Sequence, residues 1–197
     1  MKFSTEKLIS NKGNLIDGPI HVIPNVILDE RGFFFESWNA NDWRKILETH
    51  DQPYVSFVQD NHSCSARGIL RGLHYQSSPH GQGKLVRCTS GEVFDVAVDI
   101  RKDSNTFSEW VAVYLNPSKS NQLWIPEGFA HGFLSLEEKT EINYKVTDYW
   151  SKECEGSIAW NDSDLNIYWP LEKINEEKLS LSKKDNEAPS LKEIFSK

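Results

Sequence analysis

Short apolar runs recur at close intervals along this chain, each closed by a turn-rich stretch, and that rhythm restricts the fold to a barrel or sandwich of antiparallel strands. KLVRCT (84–89), EVFDVAVDI (92–100), EWVAVYL from 109, QLWIP from 122 and TEINYKVTDYW from 140 are separated by Ser90-Gly91, RKDSNTF, NPSKSN and PEG. In the strongest run Phe94, Val96, Val98 and Ile100 share one face, and Val93, Asp95, Ala97 and Asp99 share the other. That alternation predicts a half-buried strand, joined as a hairpin to the run before it. Helical patterning is confined to NDWRKILETH (41–50) and the ends of the tail, where Ser190 and Glu193 are spaced as a capping box. The rest of the tail from 171 is charged, and wraps the surface of a single domain spanning 1–197.

Composition narrows the function classes. With 197 residues the chain buries roughly 70% of its unfolded surface and needs no disulfide or metal to complete its core. Its 22 Lys plus Arg against 29 Asp plus Glu give a net charge of -7, which argues against a general nucleic-acid binder. No apolar run approaches the ~18 residues of a membrane span, and MKFSTEKLISNKGN is polar where a secretory signal would be apolar. A cytoplasmic protein is expected. Cys64, Cys88 and Cys154 are odd in number and lack C-x-x-C spacing, as expected of reduced thiols.

Of the six histidines, two stand out by their neighbourhood. His74 lies in GILRGLHYQ, where Arg71 and Gly72 interrupt an apolar and aromatic run; His131 lies in WIPEGFAHGF, between a tight turn and Gly132. Either could be a hydrogen-bonded structural histidine. Tyr144 shares strand parity with Ile142 and Val146, so its hydroxyl is expected to point inward, towards a hydrogen-bond partner or a reacting group. Lys84 reads as a solvated strand end, Asp95 and Asp99 as exposed or paired, and Asp185 as a loop or cap residue. A barrel metal site would need an H-x-H pair, but Gln76 and Phe133 stand two residues beyond the two histidines. Phosphate-binding glycine loops and a G-x-S-x-G elbow are absent.

Longer motifs carry a resemblance. FVQDNHSCSARGILRGLHYQ (57–76), GKLVRCTSGEVFDVAVDIR (83–101), NQLWIPEGFAHGFLSL (121–136), YKVTDYW (144–150), WNDSDLNIYWP (160–170) and SKKDNEAPSL (182–191) resemble, in order, the dTDP-4-dehydrorhamnose 3,5-epimerase family. The resemblance implies an all-β, cupin-type antiparallel jelly-roll barrel with short peripheral helices. It also implies a homodimer, no metal or organic cofactor, and a dTDP-linked sugar substrate. The implied reaction inverts C3 and C5 of a nucleotide-linked 4-keto-6-deoxyhexose. Both carbons are alpha to a carbonyl, so each proton can leave as an enolate forms.

Matched by motif, His74 is the implied base, since a neutral imidazole with reference pKa ~6.5 is available near neutral pH. Asp185 is its implied partner, Tyr144 the acid on the opposite face, and Lys84 the stabiliser of enolate charge, worth roughly 3 kcal/mol in comparable sites. His131 is implied near the sugar, and Arg71 and Gln59 at the nucleotide. Arg31, Phe34 and Glu36, in DERGFFFES (29–37), are implied to reach the nucleotide across the dimer; Asn61 and Lys183 are further candidates. Trp150 stands where the family usually carries tyrosine, which removes a hydroxyl near the sugar. Arg71 and His74 differ by three positions, so an ideal strand would separate them and Gly72 is expected to mark a bulge. The rival readings are a single-centre epimerase, a non-catalytic sugar-binding cupin and a metal-dependent cupin enzyme.

Overall fold

The structure is a computed structural model that describes residues 2–174 and 179–195. Strands numbered along the chain form two antiparallel sheets. The six-stranded sheet runs β1 (Phe3–Ile9), β2 (Leu15–Pro24), β10 (Gln122–Ile125), β7 (Lys84–Ser90), β12 (Thr140–Val146), β5 (Gln59–Ser65). The five-stranded sheet runs β13 (Glu155–Ser157), β6 (Leu70–Gln76), β11 (Phe129–Ser135), β8 (Val93–Asp99), β9 (Trp110–Leu115). Consecutive strands repeatedly change sheet, the connectivity of the jelly roll that the motifs implied. A separate hairpin, β3 (Ile27–Asp29) and β4 (Gly32–Phe34), stands apart from both sheets.

Facing side chains fill the space between the sheets: Val86, Cys88, Leu123, Ile125 and Ile142 from one, Val93, Ala97, Val111, Phe129 and Phe133 from the other. Each sheet is also covered outside. Helix α1 (Ala40–Thr49), capped by the Asn39 side chain, packs Trp43, Ile46 and Leu47 onto Ile20, Val22, Leu85 and Trp124 of the six-stranded sheet. The C-terminal segment covers the other sheet, setting Trp169, Ile174 and Leu191 against Leu70, Phe94, Val96 and Val98. In that segment α2 (Lys183–Asn186) and α3 (Leu191–Phe195) are short helices, and the Ser190–Glu193 capping box forms as the spacing predicted.

Two sequence expectations are corrected here. The runs at 84–89 and 92–100 do not form a hairpin: β7 pairs with β10 and β12, while β8 pairs with β9 and β11. Ser90-Gly91 is a corner between sheets, and Gly91 takes φ 74° where an added Cβ would meet Thr140 at 2.4 Å. Nor is β8 half-buried. Every residue from Val93 to Asp99 is buried, because the face richest in valine packs under the C-terminal segment while the face with Asp95 and Asp99 looks into the barrel. Alternation locates a strand, but a covering segment far along the chain decides whether its second face meets water. The tail expectation for residues 175–178 and 196–197 lies outside the described residues.

Candidate active site

The site lies where polar side chains replace the apolar filling between the sheets. Residues opposite one another on paired strands share a face. On the six-stranded sheet this gives one inward row of Gln59, Val146, Lys84 and Ile125, and beside it Asn61, Tyr144, Val86 and Leu123. On the five-stranded sheet the matching rows are Ser157, His74, His131 and Ala97, and then Arg71, Phe133 and Asp95. His74 and Tyr144 therefore project from opposite sheets into one interior.

Arg71 and His74 reach the same face because the β6–β11 register slips between His131 and Phe133, opposite Gly72. Gly72 has φ 120°, and a Cβ there would stand 2.5 Å from the Gly132 backbone and 2.6 Å from the His131 carbonyl oxygen. Both the turn of the chain and the close approach of β11 demand glycine at this position.

Two histidine–carboxylate pairs result. His74 Nε2 lies 2.5 Å from Asp185 Oδ1, which arrives on α2 from 111 positions away. A carboxylate only accepts, so Nε2 carries the proton, and the neutral form of the ring presents its lone pair at Nδ1. Burial raises the Asp185 carboxyl, but the hydrogen bond and charge of His74, with the Ser182 hydroxyl, outweigh it and hold the group below its ordinary value. In the second pair His131 Nε2 is 3.0 Å from both oxygens of Asp95, deep in the sheet.

Lys84 is not the solvated strand end that its position suggested. It is buried, and its Nζ donates to the His74 carbonyl oxygen at 3.3 Å, spanning from one sheet to the other. Burial lowers its ammonium to about 8 against the opposing pull of Asp95 and Glu155. Tyr144 points inward as its parity predicted, packed against the inter-sheet core. Burial, reinforced by Glu155 and opposed by Arg71, raises its phenol above the ordinary value. Its hydroxyl has no hydrogen-bond partner among the described residues, so it is free to meet a ligand.

The remaining candidates divide. Gln59 donates to Asn61 at 2.8 Å on the inward face of β5, and Arg71 is steadied by Ser65 Oγ at 3.2 Å and the Cys64 carbonyl at 3.4 Å. Trp150 is largely exposed and near enough to Glu155 to help hold its carboxyl below the ordinary value. Lys183 points to solvent beside Glu187. Arg31 pairs with Asp29, and Glu36 with Lys2 and Asn39, while Phe34 is exposed on the separate hairpin. Arg31, Phe34 and Glu36, on or beside the separate hairpin, are not gathered around His74 within one chain.

Three residues near the site were not singled out for it by sequence: Asp95, Glu155 and Ser182. Asp95 carried a signal, an acid on a strand whose other face is almost wholly apolar. Glu155 carries charge into the cluster, next to His74 and 2.6 Å from Lys184. Among the described residues no group of three or more His, Cys, Asp or Glu is arranged to hold a metal ion, and no helix is long and apolar enough to cross a membrane.

Comparison with known proteins identifies the family and the fold. The chain is 54% identical over 168 residues to the dTDP-4-dehydrorhamnose 3,5-epimerase of Salmonella typhimurium, covering 85% of this chain and 87% of that one. It is 58% identical over 149 residues to that of Pseudomonas aeruginosa, covering 76% and 80%. The crystal structure of the Legionella pneumophila dTDP-6-deoxy-D-glucose-3,5-epimerase in complex with dTDP-4-keto-L-rhamnose superposes with a TM-score of 0.86 at 44% identity, covering 98% of this chain and 96% of that one. With the family profile matching residues 14–193, the chain belongs to the dTDP-4-dehydrorhamnose 3,5-epimerase family.

Proposed function

We propose that this protein is an epimerase that inverts C3 and C5 of dTDP-4-dehydro-6-deoxy-D-glucose to give dTDP-4-dehydro-L-rhamnose. The Nδ1 lone pair of His74 takes the proton alpha to the C4 carbonyl, while Asp185 steadies the imidazolium that forms. The carbonyl oxygen gains charge as the enolate forms, and the Lys84 ammonium meets it in a site where water is scarce. Tyr144 returns a proton from the opposite sheet and so to the opposite face of the ring. His74 then releases its proton to solvent and Tyr144 recovers one, leaving no net redox change. His131, held by Asp95, supports the sugar beside His74.

The observation that supports this reading most is the bridge of Lys84 from the Tyr144 sheet to the backbone of His74, which sets base, acid and cation around one interior. In heavy water the protein is expected to incorporate deuterium at both C3 and C5 of the substrate. Absence of label at both positions would leave only a binding module. Tyr144→Phe is expected to slow inversion more than exchange, and equal loss of both would remove it as the acid. Trp150 favours a second reading, a single-centre epimerase, which the same experiment would reveal as label at one carbon.

The nucleotide falls to Arg71, Gln59 and Asn61, and a local arginine suits a diphosphate despite the acidic net charge. Arg31, Phe34 and Glu36 serve it from a second copy of the chain, and Lys183 lies at the rim. The exposed apolar hairpin, with Ile27 58%, Leu28 76%, Phe33 65% and Phe34 65% accessible, supports a homodimer that covers it. A monomer at micromolar concentration in sedimentation would contradict that assignment. The expected place of action is the cytoplasm.

A further inference from the structure

We propose that Ser182 is a positioning residue for the His74–Asp185 pair, its hydroxyl holding the carboxylate oxygen that the imidazole leaves free. The inference rests on the reading of His74 as the base. Asp185 Oδ1 faces His74 at 2.5 Å, and Ser182 Oγ donates to Oδ2 at 2.9 Å. The same Oγ accepts from the Asp185 backbone N–H at 3.1 Å, as the N-cap of α2. One hydroxyl thus fixes both the backbone and the carboxylate of the residue that orients the base.

The need for such a device follows from the segment that carries Asp185. Helix α2 is four residues long, too short to persist without a cap and a docking surface. Its approach is stitched to the sheet two residues earlier, where Ser180 N–H donates to the Gly68 carbonyl at 2.9 Å and Leu70 N–H donates to the Ser180 carbonyl at 3.0 Å. Within the helix, Lys184 is tied to Glu155 of β13 at 2.6 Å. These contacts place the backbone but leave the terminal torsion of an aspartate broad and nearly two-fold. Asp185 is only 4% exposed, so solvent is a poor substitute for the missing donor. With each carboxylate oxygen held by a different partner, that torsion is set.

Glycine and threonine separate the two roles of Ser182. Glycine caps a helix nearly as well as serine but has no hydroxyl, whereas threonine keeps the hydroxyl. Ser182→Gly is expected to lower kcat and the rate of substrate deuterium exchange about tenfold, with KM and melting temperature near those of wild type. Ser182→Thr is expected to recover most of the rate. In proton NMR of the ligand-free protein, the His74 Nε2–H resonance is expected to move in Ser182→Gly and stay in Ser182→Thr. Wild-type rates and an unmoved resonance in Ser182→Gly would overturn the proposal while His74→Ala still abolished exchange. A wild-type protein that exchanges neither proton would instead overturn the functional reading, and the resonance would still decide whether Ser182 positions the pair.

Discussion

The two histidine–carboxylate pairs stand on neighbouring strands yet are built in opposite ways. His131 and Asp95 belong to adjacent strands of one sheet, 36 positions apart, and their side chains are 10% and 0% exposed. His74 is 32% exposed at the side chain and takes its carboxylate from a one-turn helix 111 positions away. The first pair is fixed by the same ladder that holds the barrel together. The second is completed only when the C-terminal segment docks. A group that exchanges protons with a ligand and then with solvent needs an open side, and a partner brought from the periphery leaves that side open.

If His74 is the base and His131 its support, the largest difference between them appears on removing the imidazoles. His74→Ala is expected to reduce substrate deuterium exchange by about 10³-fold or more, towards the upper range for general bases. His131→Ala should cost less in exchange. Equal losses, measured by mass spectrometry of recovered substrate, would erase the assigned division of roles. Replacing the carboxylates sharpens it further. Asp185→Asn is expected to lower exchange about 100-fold, with a smaller loss of melting temperature than at the inner pair, since its buried carboxyl is held below the ordinary value by His74 and Ser182.

Asp95→Asn should show the reverse balance, a smaller loss of rate, about tenfold, and a larger loss of stability. Taking the charge from a buried pair at the centre of a sheet costs about 3 kcal/mol by precedent. Urea denaturation compared with initial rates would separate the two effects. A variant with unchanged stability would show that the inner pair is held by the surrounding ladder alone.

The same contrast explains what could be read in the sequence. Tyr144 was placed inward by parity because β12 is regular from Ile142 to Val146. Arg71 and His74 defied parity, and Gly72 marked the bulge that reconciles them. Local rules sufficed where the chain's own neighbours set the direction of a side chain. They failed for Lys84, whose burial depends on a strand of the other sheet, and for the corner at Ser90-Gly91, which looks like a hairpin turn until both flanking strands find other partners. Nothing local to KKDNEAPS distinguishes Asp185 from a loop acid. Its place came from the resemblance alone, and docking of the tail gives the physical reason it sits by His74.

The smallest expected effect on rate is the pH response of Lys84, which stands between the two pairs and senses only the inner one among their carboxylates. In the proposed mechanism its ammonium is the form that meets enolate charge, so the rate should fall as pH rises through about 8. Asp95 holds that value up, hence Asp95→Asn should move the alkaline limb of kcat to lower pH, whereas Asp185→Asn should leave it in place. The stability ledger has the opposite slope. A folded value of about 8 lies below the ordinary 10.5, so the folded protein holds fewer protons than the unfolded chain in that interval and gains stability as pH rises through it. Lys84→Met removes the buried charge. It is therefore expected to be more stable than wild type below pH 8, by on the order of 3 kcal/mol, with the gap closing towards pH 10.5. Melting curves across that range read the difference directly, and a Lys84→Met variant no more stable than wild type at pH 6 would mean that the ammonium is solvated rather than held at a cost between the sheets.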